Sequence, residues 1–276
     1  MRFRSIPDTL LAFFLRLSRY VLFAALTFLP VAAAAQDLSI AAAADLQFAM
    51  QDITARFQQQ TGKKVLVVYG SSGNFAQQLR SGAPFDVFFS ANLDYPRGLE
   101  EDGLIDPGSI YIYAGGKIVL WVLNGSSLNP GAGLPALLQP TVKKIAIANP
   151  EHAPYGKAAV AALQSEHVYE RVKEKLVLGE NISQAASFVT AGAADAGIVA
   201  LALALSPNMR DKGKYAEIPA SDYPAIEQAC VILRSSKNKE VARQFLLFIQ
   251  TKPIQDLLRQ YGFDVAGAET PSRQSR

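Results

Sequence analysis

The most unusual short stretch of this sequence is a pair of serines enclosed by glycines, Gly70-Ser71-Ser72-Gly73. An apolar run, "VLVV", precedes it and a helical pattern follows it. Glycines let a ligand approach the main chain closely, and hydroxyl groups donate hydrogen bonds without carrying charge. These residue types at the start of a helix suit a nucleophilic serine, a phosphate-binding loop or a site for another anion.

The spacing around this turn does not fit the two enzymatic patterns. A nucleophile elbow needs Gly-x-Ser-x-Gly, but Asn74 stands at the second glycine position when Ser72 is the serine. A phosphate loop needs a hydroxyl residue after Gly-Lys, which "GGKI" and "YGKA" both lack. The two histidines, His152 and His167, have no zinc-site spacing, and His167 lies in the charged stretch "QSEHVYERVKEK", which is typical of solvated residues. An anion site is favoured, and a hydrolase that uses Ser72 is the alternative.

Residues 1–35 have the features of a cleaved export signal. Arginines precede an apolar run at 20–35 that ends in "VAAAAQ", with the small residues that signal peptidase requires. The run contains Pro30 and is shorter than the ~20 apolar residues of a spanning helix, so a retained membrane anchor is the weaker alternative. We therefore expect export to the periplasm and a mature chain that starts at or near Gln36.

The charge of the chain changes once this segment is set aside. The segment holds four of the 27 basic residues and one of the 24 acidic residues, so the remainder has no net formal charge. Such a chain lacks the basic surface that nucleic acid or an anionic membrane binds, and we expect neither as a partner. Cys230, the single cysteine, lies in the apolar run "ACVIL" and is predicted to be buried.

Short apolar runs alternate with longer helical patterns from residue 38 onward. After the first run, Leu46, Met50, Ile53 and Phe57 recur at helical spacing, and Gly62 supplies a stop. This alternation predicts an α/β protein with mainly parallel sheets and helices on both faces, and about 240 residues suffice for one large domain or two lobes. The strand-like runs are "LSIAAA" (38–43), "KVLVVY" (64–69), "FDVFFSA" (85–91), "KIVLWVL" (117–123), "KIAIAN" (144–149), "AGIVAL" (196–201) and "QACVILR" (228–234).

Four junctions join an apolar run to a helical pattern. In α/β sheets, ligands bind beyond the carboxyl ends of the strands, where the helices begin. Each helix start has unpaired N–H groups and a partial positive charge, so several starts that converge make an anion site without lysine or arginine. Pro154 suits a first helical turn and Asn181 an N-cap, although any one junction alone could be an ordinary turn. The junctions are "AAAADL" (41–46), "YGSSGN" (69–74), "NPEHAPYG" (149–156) and "LGENIS" (178–183).

Taken in order, these junctions resemble the periplasmic molybdate-binding proteins of ABC importers. "AAAADLQFAMQDITARFQQQTGKKV" and "GSSGNFAQQLRSGAPFDVFFSAN" look like the first two strand–helix units of that family, and "NPEHAPYGKAA" and "RQYGFDV" match as well. The resemblance covers residues 38–265. It implies two α/β lobes of the type II periplasmic binding protein architecture, which the chain crosses twice and which close on one dehydrated tetrahedral oxyanion. We place the crossings near 114–117 and 219–228, with 36–115 plus 226–276 as the first lobe and 116–225 as the second.

The resemblance also implies a set of oxyanion-binding residues. Ser72 matches the family's serine at the second junction. Tyr155 stands where alanine is frequent, and a tyrosine that many members carry later in the chain falls on Ala200, so we infer that Tyr155 supplies the phenol instead. Ile182, where valine is usual, would act through its backbone N–H. The predicted oxyanion-binding residues are Asp45, Ser72, Tyr155 and Ile182, with Leu46, Ser71 and Asn181 as neighbours.

Asp45 departs from the family pattern, which usually has serine at the first junction. An ionised carboxylate has no hydrogen to donate and would repel a dianion. Its place at a helix start favours an N-cap that accepts from the N–H groups of Gln47 and Phe48, which would leave other backbone N–H groups for the ligand. Direct binding by the carboxylate, with a shared proton or expanded metal coordination, is the alternative.

We therefore predict an exported, non-enzymatic binding protein that captures molybdate, and also tungstate, and delivers it to an ABC permease in the inner membrane. It would need no cofactor, because molybdenum would be bound as the oxyanion through the same residues. Transport by a diffusing carrier suggests a monomer. The alternatives are a protein of the same architecture for sulfate or another small oxyanion, and the serine hydrolase.

Overall fold

The structure, a computed structural model, describes residues 36–265. The predicted export signal lies outside the described residues, as do positions 266–276. Between residues 36 and 265, the structure contains no helix that is both long and apolar enough to cross a membrane.

Within the described residues, ten strands form two five-stranded sheets. The strand order is β2-β1-β3-β10-β4 in the first sheet and β7-β6-β8-β5-β9 in the second. The first sheet contains β1 (Leu38–Ala43), β2 (Val65–Gly70), β3 (Val87–Ser90), β4 (Tyr111–Gly116) and β10 (Ile226–Ile232). The second contains β5 (Ile118–Leu123), β6 (Ile145–Ala148), β7 (Leu176–Gly179), β8 (Ala196–Ala200) and β9 (Gly213–Glu217).

In each sheet, four strands run in one direction and one strand runs against them. β1 pairs in parallel with β2 and β3, whereas β10 is antiparallel to both of its neighbours, β3 and β4. The second sheet repeats this arrangement with β5 as the reversed strand. Each reversed strand is the first one that the chain forms after it arrives from the other sheet. The predicted α/β architecture with mainly parallel strands is confirmed, although the sheets are mixed.

The chain passes between the two sheets twice. Lys117 separates β4 from β5, and residues 218–225 lead from β9 back to β10. The predicted crossings, near 114–117 and 219–228, overlap these two passages. Each sheet, together with the helices that follow its strands, is called a lobe below, so that Asp45, Ser72 and Gln228 belong to the first lobe and Tyr155 and Ile182 to the second.

Helices cover the sheets, and the first helix follows the predicted pattern. Met50, Ile53 and Phe57 are buried on one face of α1, and Gly62, with φ of 71°, ends it. The helices are α1 (Gln47–Thr61), α2 (Ser72–Arg80), α3 (Asp94–Glu101), α4 (Pro154–Ser165), α5 (Tyr169–Val172), α6 (Ile182–Thr190), α7 (Leu201–Ala204), α8 (Lys239–Ile249) and α9 (Lys252–Gln260). The 3-10 turns are Ala44–Leu46, Pro130–Ala132, Leu134–Leu138, Lys173–Lys175 and Ala220–Asp222.

Three strands, β4, β7 and β9, were not predicted from the sequence. Each of them lies at the edge of its sheet. The residues of these strands are mostly half-buried or exposed, and the apolar parts of "YIYAGG", "LVLG" and "GKYAE" are too short to be distinguished as strands by their pattern alone. The seven predicted runs correspond to the other strands, of which only β2 lies at an edge.

Each lobe has its own apolar core. In the first lobe, the rings of Phe57 and Phe245 meet edge to face with centroids 5.0 Å apart, and Phe89 packs beside them. In the second lobe, the fully buried Trp121 lies at the centre of the core. Cys230 is fully buried as predicted, and burial raises the pKa of its thiol well above its usual range.

The sheet topology places the four junctions in two facing pairs. β1 and β2 are neighbours in the first sheet and end at Ala43 and Gly70. β6 and β7 are neighbours in the second sheet and end at Ala148 and Gly179. Parallel neighbours end at the same sheet edge, so each lobe brings two helix starts to one place.

Candidate functional site

All four junctions line one cavity between the lobes. The cavity is small, and Asp45, Ser72, Tyr155 and Ile182 all lie on its wall. Ser71 and Asn181 line it as well. The side chain of Leu46, in contrast, is fully buried in the core of the first lobe, so only its main chain could face a ligand.

Ser72 is held so that its hydroxyl hydrogen stays free. Its Oγ accepts a hydrogen bond from the Ala91 N–H at 2.9 Å, and the residue is 1% exposed. A hydroxyl that accepts one bond can still donate its single hydrogen. Since Ser72 is also the first residue of α2, its own N–H is one of those that a helix cannot pair. Ser72 thus offers two neutral donors to the cavity.

Ser71, not Ser72, contacts a histidine. The Ser71 Oγ lies 2.8 Å from the His152 Nδ1 and donates to the His152 carbonyl oxygen at 2.7 Å. Because a hydroxyl has one hydrogen, donation to the carbonyl leaves the ring Nδ1–H as the donor toward Oγ, the reverse of what a general base requires. Glu180 lies 3.7 Å from the His152 Nε2. The contact between Ser71 and His152 therefore connects the two lobes. Because it involves Ser71 and not Ser72, it does not support the hypothesis that Ser72 is the nucleophile of a hydrolase.

The predicted N-cap role of Asp45 is wrong. Neither the Ala44–Leu46 turn nor α1 has a side-chain cap, and their N-cap residues are Ala43 and Leu46. The physical reason is that the chain enters the helix through a 3-10 turn, which places Asp45 inside the turn instead of before it. Its carboxyl group therefore points away from the N–H groups of α1 and toward the other lobe.

The carboxyl group of Asp45 is part of a buried hydrogen-bond network between the lobes. Its Oδ2 accepts from the Tyr155 hydroxyl at 2.8 Å and from the Gln228 Nε2 at 2.6 Å. The Gln228 amide also donates to the Tyr155 Oη at 2.9 Å, and the Tyr113 hydroxyl donates to the Gln228 Oε1 at 2.5 Å. The network joins β4, β10, the turn before α1 and α4.

Burial controls the protonation of this network. Burial raises the pKa of Asp45 to about 6, opposed by the hydrogen bonds from Gln228 and Tyr155 and by the nearby N–H groups of Asp45 and Leu46. Burial, followed by the negative charge of Asp45, raises the pKa of Tyr155 well above its usual range. The phenol is therefore neutral and a donor, while the raised pKa of Asp45 lies at about 6.

Gln228 is the functional-site residue that the sequence analysis missed. It is fully buried in a strand whose other inward-facing residues are apolar, as the run "QACVIL" shows. A buried polar group needs hydrogen-bond partners, so an amide at the start of an apolar run is a signal of a polar network. That signal was present in the sequence, but the run was interpreted only as a strand.

The helix that begins at Ile182 is capped as predicted. Asn181 Oδ1 accepts from the N–H groups of Ser183 and Gln184, both at 3.0 Å. The cap uses these two donors and leaves the Ile182 N–H at the cavity wall. Pro154 opens α4 at its first position, also as predicted.

The cavity wall carries no positive side chain. Among the described residues that line it, lysine, arginine and histidine are absent, and Asp45 is the one acidic residue. The donors that the wall offers are the Ser72 hydroxyl group and the N–H groups of the helix starts, since the Tyr155 phenol and the Ser71 hydroxyl already donate their hydrogens to Asp45 and His152. Such donors can hold a small anion by replacing its hydration shell.

Comparison with known proteins identifies the family. The family model described as "Bacterial extracellular solute-binding protein" matches residues 38–264. The chain belongs to this family. It is 35% identical over 235 residues to the molybdate-binding protein ModA of Rhodobacter capsulatus, which covers 85% of this chain and 91% of that one. It is 35% identical over 247 residues to ModA of Azotobacter vinelandii, which covers 90% of this chain and 97% of that one.

A solved structure has the same fold as this solute-binding protein. The periplasmic molybdate-binding protein of Azotobacter vinelandii aligns with a TM-score of 0.79 and 32% identity, over 83% of this chain and all of that chain. The two α/β lobes are therefore those of a solute-binding protein, as the sequence resemblance implied. The relatives are named as binding proteins and not as enzymes.

Further hydrogen bonds connect the two lobes of this solute-binding protein around the cavity. Gly73 N–H donates to the His152 carbonyl oxygen at 2.9 Å, and the Asn74 amide donates to Glu180. Ser183 Oγ, at the start of α6, donates to the Gln47 Oε1 at 2.7 Å. Together with the Asp45 network, these contacts connect the starts of α1 and α2 in the first lobe to the starts of α4 and α6 in the second.

We predict that Gly73→Ala weakens ligand binding by hindering closure. A Cβ at this position would lie 2.5 Å from the His152 carbonyl oxygen and 3.0 Å from its Cα, across the lobe interface. Overpacking of this kind costs about 1–3 kcal/mol, and the contacts with the His152 backbone arise only when the lobes meet, whereas the contact with the Tyr95 Oη at 2.9 Å lies within the first lobe and involves a side chain that can move. Calorimetric titration should show an affinity loss of this size. The matched control is Gly125→Ala, whose Cβ meets nothing within 4 Å and whose affinity should be unchanged. Equal affinity of the Gly73 variant and wild type would contradict this account.

Proposed function

We propose that the protein captures molybdate, and also tungstate, in the cavity between its lobes and delivers it to an ABC permease. The observation that carries the proposal is the convergence of four helix-start junctions on one cavity whose wall has neutral donors and no lysine or arginine. The names of the two relatives, each 35% identical over most of the chain, support the same ligand.

The proposed mechanism of capture is exchange of water for fixed donors. The Ser72 hydroxyl and the N–H groups of Ser72 and Ile182 replace the hydration shell of the anion, and lobe closure then excludes water. The oxyanion is held through its oxygen atoms, so no side chain needs to coordinate the metal. Tyr155 lines the cavity from the second lobe, at a position where the resembling family often has alanine, and its phenol acts through Asp45, to which it donates its single hydrogen.

The proposal includes the division of the chain and its place in the cell. We assign residues 36–115 with 226–276 to the first lobe, of which 266–276 lie outside the described residues, and residues 116–225 to the second; the two passages between the sheets support this division. The family is one of extracellular solute-binding proteins. For this chain we infer the periplasm, reached through cleavage of residues 1–35, and a monomer that meets the inner-membrane permease by diffusion.

We expect molybdate and tungstate to stabilise the folded protein more than sulfate or phosphate does. A ligand present at about 100 times its dissociation constant adds about 2.7 kcal/mol to the free energy of unfolding. Thermal unfolding with the four sodium salts at equal concentration measures this effect. A larger shift with sulfate would favour the related oxyanion alternative, and no shift with any salt would contradict an oxyanion site.

We expect Ser72→Ala to lower oxyanion affinity by about 1–3 kcal/mol, because it removes a hydrogen bond to a charged partner. The variant also leaves the buried Ala91 N–H unpaired, so some loss of stability accompanies it. Ser90→Ala is the matched control, since Ser90 is equally buried but bonds only to Asn92. Calorimetry should show weakened binding for the first variant alone. Equal affinities would remove Ser72 from the site.

We expect the exported protein to start at or near Gln36. Small residues at positions 33 and 35 fit the requirement of signal peptidase, and a large residue at 35 blocks it. Mass spectrometry of the periplasmic fraction should give the shortened chain, whereas Ala35→Leu should accumulate in the membrane fraction with residues 1–35 attached. An intact amino terminus in the periplasm would contradict cleavage.

A further inference from the structure

The two oxygens of the Asp45 carboxyl group have different surroundings. Oδ2 accepts hydrogen bonds from the Tyr155 hydroxyl and the Gln228 amide. Oδ1 is buried and has no hydrogen-bond partner among the described residues. A buried polar atom without a partner is unfavourable. Because Asp45 lies on the cavity wall, a ligand in the cavity can supply the missing partner.

The hydrogen bonds determine which oxygen carries the hydrogen when Asp45 is neutral. Oδ2 already receives two hydrogens, and a third would have to displace one of them. A proton on Asp45 therefore lies on Oδ1. It converts an acceptor that has no partner into a donor, and an oxyanion oxygen is the acceptor that matches it.

Charge favours the same protonation state. A tetrahedral dianion and an ionised carboxylate repel each other strongly in a buried cavity of low dielectric. Among the wall residues that the structure describes, no lysine, arginine or histidine is present to offset the negative charges of the anion and the carboxylate. A proton on Asp45 removes the repulsion and leaves the neutral donors to hold the anion.

The titratable groups that face Asp45 do not compete for this proton. Tyr155 on α4 and Tyr113 on β4 are neutral, since burial and then the charge of Asp45 raise the pKa of each well above its usual range. Cys230 on β10 lies beyond Tyr113, and burial raises the pKa of its thiol also. His152 lies outside the cavity wall, where its ring contacts Ser71.

From this geometry, and resting on the proposed function, we propose that Asp45 binds the ligand as the neutral acid, so that the site takes up one proton with each tetrahedral dianion. The proton comes from solvent and adds to Oδ1, and no bond within the anion breaks. The Oδ1–H group donates to an oxyanion oxygen, while Oδ2 keeps its two hydrogen bonds. The ligand class is thus the fully ionised tetrahedral oxyanion, accompanied by a proton that the protein holds.

The proposal fixes the direction of the pH dependence. Burial raises the pKa of Asp45 to about 6 in the empty site. A bound dianion raises the pKa further, because it disfavours the ionised carboxylate. Between the two pKa values, binding takes up a proton, so affinity falls as pH rises and becomes constant below about pH 6.

The test is a calorimetric titration of the full mature chain with sodium molybdate, and again with sodium sulfate, across this range. Above about pH 6.5, the dissociation constant should rise up to about tenfold per pH unit. Titrations in buffers of different ionisation enthalpy should show about one proton taken up per anion. An affinity that does not change with pH would overturn the proposal but not the proposed function, whereas binding of neither anion at any pH would overturn the function itself.

Two variants assign the proton to a residue. Asp45→Asn keeps the shape and gives a neutral donor, so it should lose both the pH slope and the proton uptake and bind at high pH at least as tightly as wild type. His152→Gln removes the nearby histidine, a residue type that also titrates in this range, and should keep the slope. The opposite result, a slope lost with His152 and kept with Asn at position 45, would overturn the assignment.

A second readout needs no ligand. The pKa of Asp45 is raised in the folded protein, so the carboxyl group favours folding below its unfolded pKa and loses this contribution as pH rises through about 6. The Asp45→Asn protein should therefore melt higher than wild type near pH 7.5, by a margin that shrinks toward pH 4. If Asp45→Asn does not fold, Asp45→Ser serves for both measurements. A margin that stays constant with pH would contradict the proposal.

Discussion

The hydrogen bond from the Tyr155 hydroxyl to the Asp45 carboxyl group joins the two lobes at the cavity, and the rest of the site is arranged around it. The donor lies in the first turn of α4 and the acceptor in the turn before α1, so this bond sets how closely the two helix starts approach. Gln228 and Tyr113 extend the bond into the first sheet. Since the whole network is buried, its bonds are stronger than they would be in water, and a missing member would be costly.

The topology makes such a meeting point possible. Parallel strands end at one edge of their sheet, and each lobe contributes two neighbouring strands whose helices start there. A chain that stayed within one sheet would present its helix starts side by side in a row. By crossing at Lys117 and returning at 218–225, this chain sets two rows face to face. Enough backbone N–H groups then converge to hold an anion without a cationic side chain.

Much of this arrangement could be predicted from the sequence because it rests on local rules. Apolar runs predicted the buried strands, and Gly62 and Asn181 predicted a helix end and a helix start. The strand–helix junction at 69–74 predicted Ser72 as a site residue, and Ser72 lies on the cavity wall. Of the four edge strands, β2 was predicted, but β4, β7 and β9 were not, because their apolar runs are short and their residues are mostly half-buried or exposed.

The orientation of the Asp45 side chain could not be predicted from local sequence either, but for a different reason. The sequence shows that a residue stands near a helix start, but whether it caps the helix depends on how the chain enters the first turn. Here the entry is a 3-10 turn, and the partners of Asp45 lie 110 and 183 residues away in sequence. The spacing of residues along the sequence does not indicate which distant residues pair in the fold. For Gln228 the sequence did contain a local signal, because it is a polar residue in an apolar strand, but nothing in the sequence indicated that its partner is Asp45.

Two of the departures from the family that this chain resembles are physically one change. An aspartate at position 45 without a nearby donor would leave both carboxyl oxygens buried and unpaired, and a buried phenol at position 155 also needs a partner. Each satisfies the other, and Gly116 makes room for them, since a Cβ there would lie 2.3 Å from the Tyr155 Oη. Exchange of Tyr155 alone for alanine would leave Gln228 as the one donor to the Asp45 carboxyl group among the described residues, and exchange of Asp45 alone would remove the acceptor of the Tyr155 phenol. The pair therefore constitutes an alternative solution to the binding of an oxyanion, in which a buried acid replaces a hydroxyl and a proton becomes part of what is bound.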